Sequence, residues 1–199
     1  MEKEKTRMGT RQVRAIPCDL KTGKQTREDG EELKIEGYFA VFNSNYDLWP
    51  GASESVAPGA FSGTLGDDIR ALINHDTSLV LGRNKAGTLS LEEDSHGLWG
   101  SILINPNDQD AMNLYSRVAR GDVNQCSFGF DILEEETEFR DDGSVHWTIK
   151  RVKLYEVSVC TFPAYEETSV AAREKDLAEI KRRKHEAWKS QTLAKLKGE

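Results

Sequence analysis

Short apolar stretches set in polar surroundings recur along this chain, and where they alternate they do so with a period of two, which predicts a β-rich domain. The sharpest case is 121–132, Gly-Asp-Val-Asn-Gln-Cys-Ser-Phe-Gly-Phe-Asp-Ile. Cys126, Phe128, Phe130 and Ile132 fall on one face; Gln125, Ser127, Gly129 and Asp131 fall on the other. The first face reads as core and the second as a wet polar face, on which Gly129 leaves room beside Ser127 for a peptide backbone. Residues 13–17 read as a short strand, 21–32 as a polar loop punctuated by Gly23 and Gly30, and 33–42 as a strand ended by turn residues 43–47. Pro58-Gly59 predicts a turn into a short helix over 61–65. The apolar run 69–73 is a buried strand that delivers His75 at its C-terminal end. Residues 79–83 and 87–91 follow as strands, and 98–104 returns as a hairpin, with His96 in the solvated turn before it.

At Asn107 the period changes. Asn107 or Asp108 caps a helix lined on one side by Ala111, Leu114, Tyr115 and Val118, and Gly121 stops it. Glu134-Glu135-Glu136 marks the far end of the Ser127 strand. Asp141-Asp142-Gly143-Ser144 is a hairpin turn joining 137–140 to 145–149. The stretch 151–162 is small or apolar on both faces from Leu154 onward, which makes it a central strand holding one buried carboxylate, Glu156. From 168 to 197 the residues are helix formers with a weak apolar stripe of Leu177, Ile180 and Trp188. The expected organisation is a flexible arm over 1–11, one β-rich α+β domain over 12–165, and a charged helical tail over 166–199.

Composition narrows the function classes. The chain has 199 residues, 37% hydrophobic and 31% charged, which fits a globular domain rather than disorder. No stretch nears the roughly 18 apolar residues of a membrane span, and the N-terminus lacks a secretory apolar core. The net charge is −7; from Tyr165 onward nine Lys/Arg face seven Asp/Glu, leaving eighteen against twenty-seven, or −9, in the body. An acidic body argues against nucleic acid as the main partner. Cys18, Cys126 and Cys160 form neither a disulfide framework nor a zinc pattern, so reduced thiols in a cytoplasm are expected.

The chemistry follows from what a serine nucleophile needs: a neutral imidazole to take its proton and a third group to hold that imidazole. His75, Ser127 and Glu156 offer those roles on three separate strands. Glu156 buried alone would be costly, so it needs such a partner or an arginine such as Arg83. Cys126 is a rival nucleophile that the alternation turns toward the apolar face. A metal site of His75 and Asp76 with His96 or His146 matches no standard ligand spacing.

Four ordered segments carry a family resemblance: Glu54-Ser55-Val56-Ala57-Pro58-Gly59-Ala60-Phe61; Leu72-Ile73-Asn74-His75-Asp76 with Leu81-Gly82-Arg83; Ser127-Phe128-Gly129-Phe130; and Leu154-Tyr155-Glu156-Val157-Ser158 with Thr161-Phe162-Pro163-Ala164. Together they resemble the prohead maturation proteases of tailed bacteriophages, serine peptidases related to the herpesvirus assemblins. The resemblance implies a closed or nearly closed, assemblin-like β-barrel with peripheral helices. It implies an enzyme inside the assembling prohead, in the host cytoplasm, that trims the scaffolding region of the major capsid protein precursor and itself. It implies Ser127 as nucleophile and His75 as base. Assemblins use a second histidine as third member; here Glu156 stands at that place in the order and His146 competes for it. Oxyanion donors on this reading are the Phe128 and Gly129 amides or Arg83, no metal or cofactor is required, and self-association is in keeping with the family. The rival function is a non-catalytic scaffold or shell protein with the same core.

Overall fold

The computed structural model describes residues 11–27 and 30–162, together with positions 182 and 189. The chain divides into two compact units, Met1–Ala164 and Tyr165–Glu199. The expected helical tail, and all of the expected N-terminal arm but Arg11, lie outside the described residues.

Among the described residues eleven strands form two sheets. The larger runs in the order β1 (Arg11–Pro17), β10 (Gln125–Phe139), β11 (Val145–Cys160), β5 (Ala52–Val56), β4 (Tyr46–Trp49), with β6 (Arg70–Ile73) and β7 (Asp76–Arg83) branching from β11. The smaller is β2 (Lys21–Arg27), β3 (Gly30–Val41), β9 (Gly97–Ile104) and β8 (Leu89–Glu93). The expected barrel is not what forms, because among the described residues no sheet closes on itself. The reason lies in β11: its first half pairs in parallel with β5 and its second half with β6. One long strand with two short partners along the same edge makes a forked sheet, not a ring.

The expected peripheral helices reduce to one among the described residues, α1 (Gln109–Arg120), besides a single 3-10 turn at Asn84–Ala86. The Asp108 side chain accepts from the amides of Asp110 and Ala111, Gly121 closes the other end at φ 87°, and Ala111, Leu114 and Val118 are buried, as the sequence period requires. No helix forms over 61–65. The Ala60 carbonyl accepts from Val152 of β11, and successive turns from residue 57 to residue 67 use i to i+3 bonds instead. The Glu93 carboxylate accepts the amides of Gly59 and Phe61, fixing the first of those turns.

The core lies where Ile35, Phe39, Leu98 and Ile102 of the smaller sheet join Phe128, Phe130, Ile132, Val157 and Val159 of the larger. The polar stretch 21–32 is not a loop but the β2–β3 hairpin. As an edge strand, β2 has little to bury, so its sequence shows no apolar period. Two ties secure β1. Buried Arg14 pairs with buried Glu54 of β5, its guanidinium lying over the rings of Tyr46 and Phe130. Cys18 and Cys126 are joined as a disulfide 108 positions apart in sequence, which corrects the expectation of three reduced thiols; Cys160 is free.

Candidate active site

The site is built on β10 and β11, which pair antiparallel with Ser127 opposite Ser158 and Gly129 opposite Glu156. Opposed residues of such a ladder project to the same face, with Cβ atoms roughly 5 Å apart. Ser127, Ser158 and Glu156 therefore share one patch, on the face opposite the Phe128 and Phe130 core. A bulge next to Glu156 leaves Tyr155 unpaired, since Gly129 opposes Glu156 while Phe130 opposes Leu154. Bulges of this kind re-aim side chains at functional sites.

His75 reaches the patch from a tight turn. Ile73 pairs with Asp76, and the two residues between them, Asn74 and His75, have φ of 51° and 62°. Two consecutive positive φ values mark the two-residue hairpin turn in which the second place usually belongs to glycine. A histidine held there carries backbone strain of order 1–3 kcal/mol, the kind that clusters at functional sites. The turn is held on β11 by three bonds: Asn74 N–H to the Val159 carbonyl, Thr161 N–H to Asn74 Oδ1, and His75 N–H to Ser158 Oγ.

His75 Nδ1 lies 2.8 Å from Glu156 Oε1; the carboxylate is buried and the imidazole side chain 23% exposed. The contact that Nε2 makes is Cys160 Sγ, at 3.7 Å. Burial, and then the charge of Glu156, push the Cys160 thiol up to about 12, so it stays protonated at neutral pH and is a poor nucleophile. Ser127 is fully buried rather than on a wet face, and its Oγ donates to the Arg14 carbonyl at 2.8 Å. The structure thus joins His75 to Glu156 and sets Ser127 on the same face, with its hydroxyl turned toward β1.

The remaining candidates separate. A Cβ on Gly129 would collide with Glu156 Oε1, so the space expected for a peptide belongs to the carboxylate. Arg83 is held by Asp68 through Nε and Nη2, at 2.7 and 2.8 Å, and is not the partner of Glu156. Phe128 and Gly129 lie in a strand paired on both edges. His146 sits between Ser53 Oγ at Nδ1 and Ser55 Oγ at Nε2, and His96 packs edge-on against Tyr38. His75, His96 and His146 therefore do not converge, and among the described residues no group of three or more His, Cys, Asp or Glu is arranged to hold a metal. Sequence reasoning missed Ser158. Its signal was the period-two spacing from Glu156, which puts both on one face.

Residues 19–183 match a family described as caudovirus prohead serine protease. The chain is 31% identical over 148 residues to the prohead protease of Enterobacteria phage HK97, covering 72% of this chain and 61% of that protein. The chain thus spans less than two thirds of that relative's length. Among solved structures it is similar to the bacteriophage T4 capsid assembly protease, gp21, at a TM-score of 0.49 and 11% identity, covering 76% of this chain and 97% of the other.

Proposed function

This chain belongs to the caudovirus prohead serine protease family, and on that premise we propose that it is the serine endopeptidase of capsid maturation, with Ser127 as nucleophile, His75 as base and Glu156 as the group that orients His75. The observation that carries the proposal is the 2.8 Å contact of His75 Nδ1 with the buried Glu156 carboxylate, on a strained turn over the face that holds Ser127. The carboxylate fixes the tautomer with the proton on Nδ1, leaving Nε2 to act as base.

In the proposed reaction Ser127 Oγ exchanges the Arg14 carbonyl for His75 Nε2 and attacks the scissile carbonyl carbon while Nε2 takes its proton. The oxyanion forms, the C–N bond breaks, and His75 returns the proton to the leaving amine. Water then enters by the same base and hydrolyses the acyl-serine ester. The proposed oxyanion donors are the Phe128 and Gly129 amides, which would first have to leave the strand ladder, or Arg83, which would first have to leave Asp68. The proposed substrates are the scaffolding segment of the major capsid protein precursor and the protease itself, inside the prohead in the host cell. The proposal also includes self-association of the protease.

A second reading, a non-catalytic scaffold or shell protein, draws on the complete burial of Ser127. Intact mass spectrometry of the capsid precursor co-expressed with wild type or Ser127→Ala separates the two. Trimming by wild type alone supports the protease. Equal trimming by both removes Ser127 as nucleophile, and assembly without trimming in either favours the scaffold.

A further inference from the structure

One more polar side chain touches the His75–Glu156 pair. Ser158, two residues beyond Glu156 on β11 and fully buried, donates from Oγ to Glu156 Oε2 at 2.6 Å and accepts the His75 backbone N–H at 3.2 Å. A hydroxyl offers one donor and two acceptor sites. Here the donor goes to the carboxylate oxygen that His75 does not use, and an acceptor goes to the backbone that carries the imidazole. The same group therefore grips both halves of the pair.

This matters because neither half is held well by its own torsions. A carboxylate turns about a broad terminal torsion, and a turn with two positive φ values is under strain. Resting on the proposed roles of His75 and Glu156, we propose that Ser158 is a positioning residue of the hydrolysis, which fixes the carboxylate plane and the histidine-bearing turn in one register. Without it a buried carboxylate oxygen loses its donor, and the imidazole loses a tether at the point where a misplacement of about 1 Å costs on the order of 10²-fold in rate.

The groups facing His75 are Glu156 and Cys160 of β11. The neighbouring Asp76 carboxylate is engaged by the amide and hydroxyl of Ser78. In Ser158→Ala the carboxylate loses the bond that fixes Oε2 and the turn loses a tether, so the contact of His75 Nδ1 with Oε1 should loosen.

The test uses the full chain and a fluorophosphonate, which Ser127 Oγ attacks with loss of fluoride as His75 takes the proton. In Ser158→Ala, labelling should fall by on the order of 10²-fold, and Ser158→Thr should recover most of the rate. The proton resonance of the His75 Nδ1–H that faces Glu156, followed by NMR in Ser158→Ala, should move upfield and broaden as that contact loosens, and this readout stands when the extra methyl of threonine does not fit. Labelling at the wild-type rate, or a loss with an unmoved His75 Nδ1–H resonance, overturns the proposal and leaves Ser158 a purely structural residue. Labelling that persists in Ser127→Ala fails the functional reading instead, so the two failures are distinct.

Discussion

The two halves of β11 each hold a histidine site, and the two sites are built differently. In the first half, His146 lies in regular strand, buried, with both ring nitrogens facing serine hydroxyls of β5 at 2.8 and 2.9 Å. In the second half, a histidine from a strained turn has one nitrogen on a buried carboxylate, and the other meets a thiol at 3.7 Å. A ring satisfied at both nitrogens by neutral hydroxyls has nothing left to exchange. A ring oriented by a carboxylate, with a weakly engaged second nitrogen, can take a proton and have its charge stabilised.

The largest expected effect puts this contrast to a direct test. On the proposed function, His75→Ala should lower peptidase turnover by on the order of 10⁶. His146→Ala should leave the turnover of folded enzyme intact but lower stability by about 1–3 kcal/mol, because two serine hydroxyls lose their partner. Cleavage assays paired with denaturant melts read both, and a dead, fully stable His146→Ala would reverse the assignment.

Glu156→Gln should come next, lowering turnover by about 10⁴ while keeping the shape of the site, since an amide no longer enforces the right tautomer. A variant retaining full activity would detach the carboxylate from the chemistry.

Gly129→Ala is milder in chemistry but direct in geometry. Its methyl enters the place of Glu156 Oε1, so it should destabilise by about 1–3 kcal/mol and lower turnover together. The equivalent crowding has no counterpart beside His146. Wild-type stability and turnover in this variant would show that the carboxylate is free to move aside.

The smallest effect concerns pH. The Cys160 thiol, ordinarily at 9.0 and here pushed up to about 12 by burial and by Glu156, keeps its proton longer in the folded than in the unfolded chain. Its contribution to stability is therefore complete below about 9 and is lost as pH rises from there toward about 12. Melts of Cys160→Ser across that window should decline less steeply than wild type. Parallel curves would place the titrating group elsewhere.

Much of this was legible from local pattern. The helix over Gln109–Arg120, with its Asp108 cap and Gly121 stop, follows from short-range rules that tertiary context does not disturb. The apolar face Cys126, Phe128, Phe130, Ile132 is buried as the alternation requires. The strand leading to His75 was legible too, though not the turn that strains it. Edge strand β2 was invisible because an edge with little to bury needs no apolar period. The turns over 61–65 were misread as helix because the bonds that pin them, from Val152 to the Ala60 carbonyl and from the Gly59 and Phe61 amides to Glu93, come from strands far along the chain.

The sequence by itself determined which residue types could form a site, since a serine, a histidine and a buried carboxylate on β-strands can be recognised one at a time. Only the tertiary structure decided how they meet. Pairing register sets Ser127 against Ser158 and Gly129 against Glu156, and the parallel pairing of β6 with β11 brings His75 over the carboxylate. Tertiary structure also decided that the sheet forks instead of closing, that Cys18 meets Cys126, and that Ser127 is covered. Periodicity reports which face a side chain takes, because that is set by its own backbone. Which strand lies alongside, and in what register, is set by residues far away in the chain.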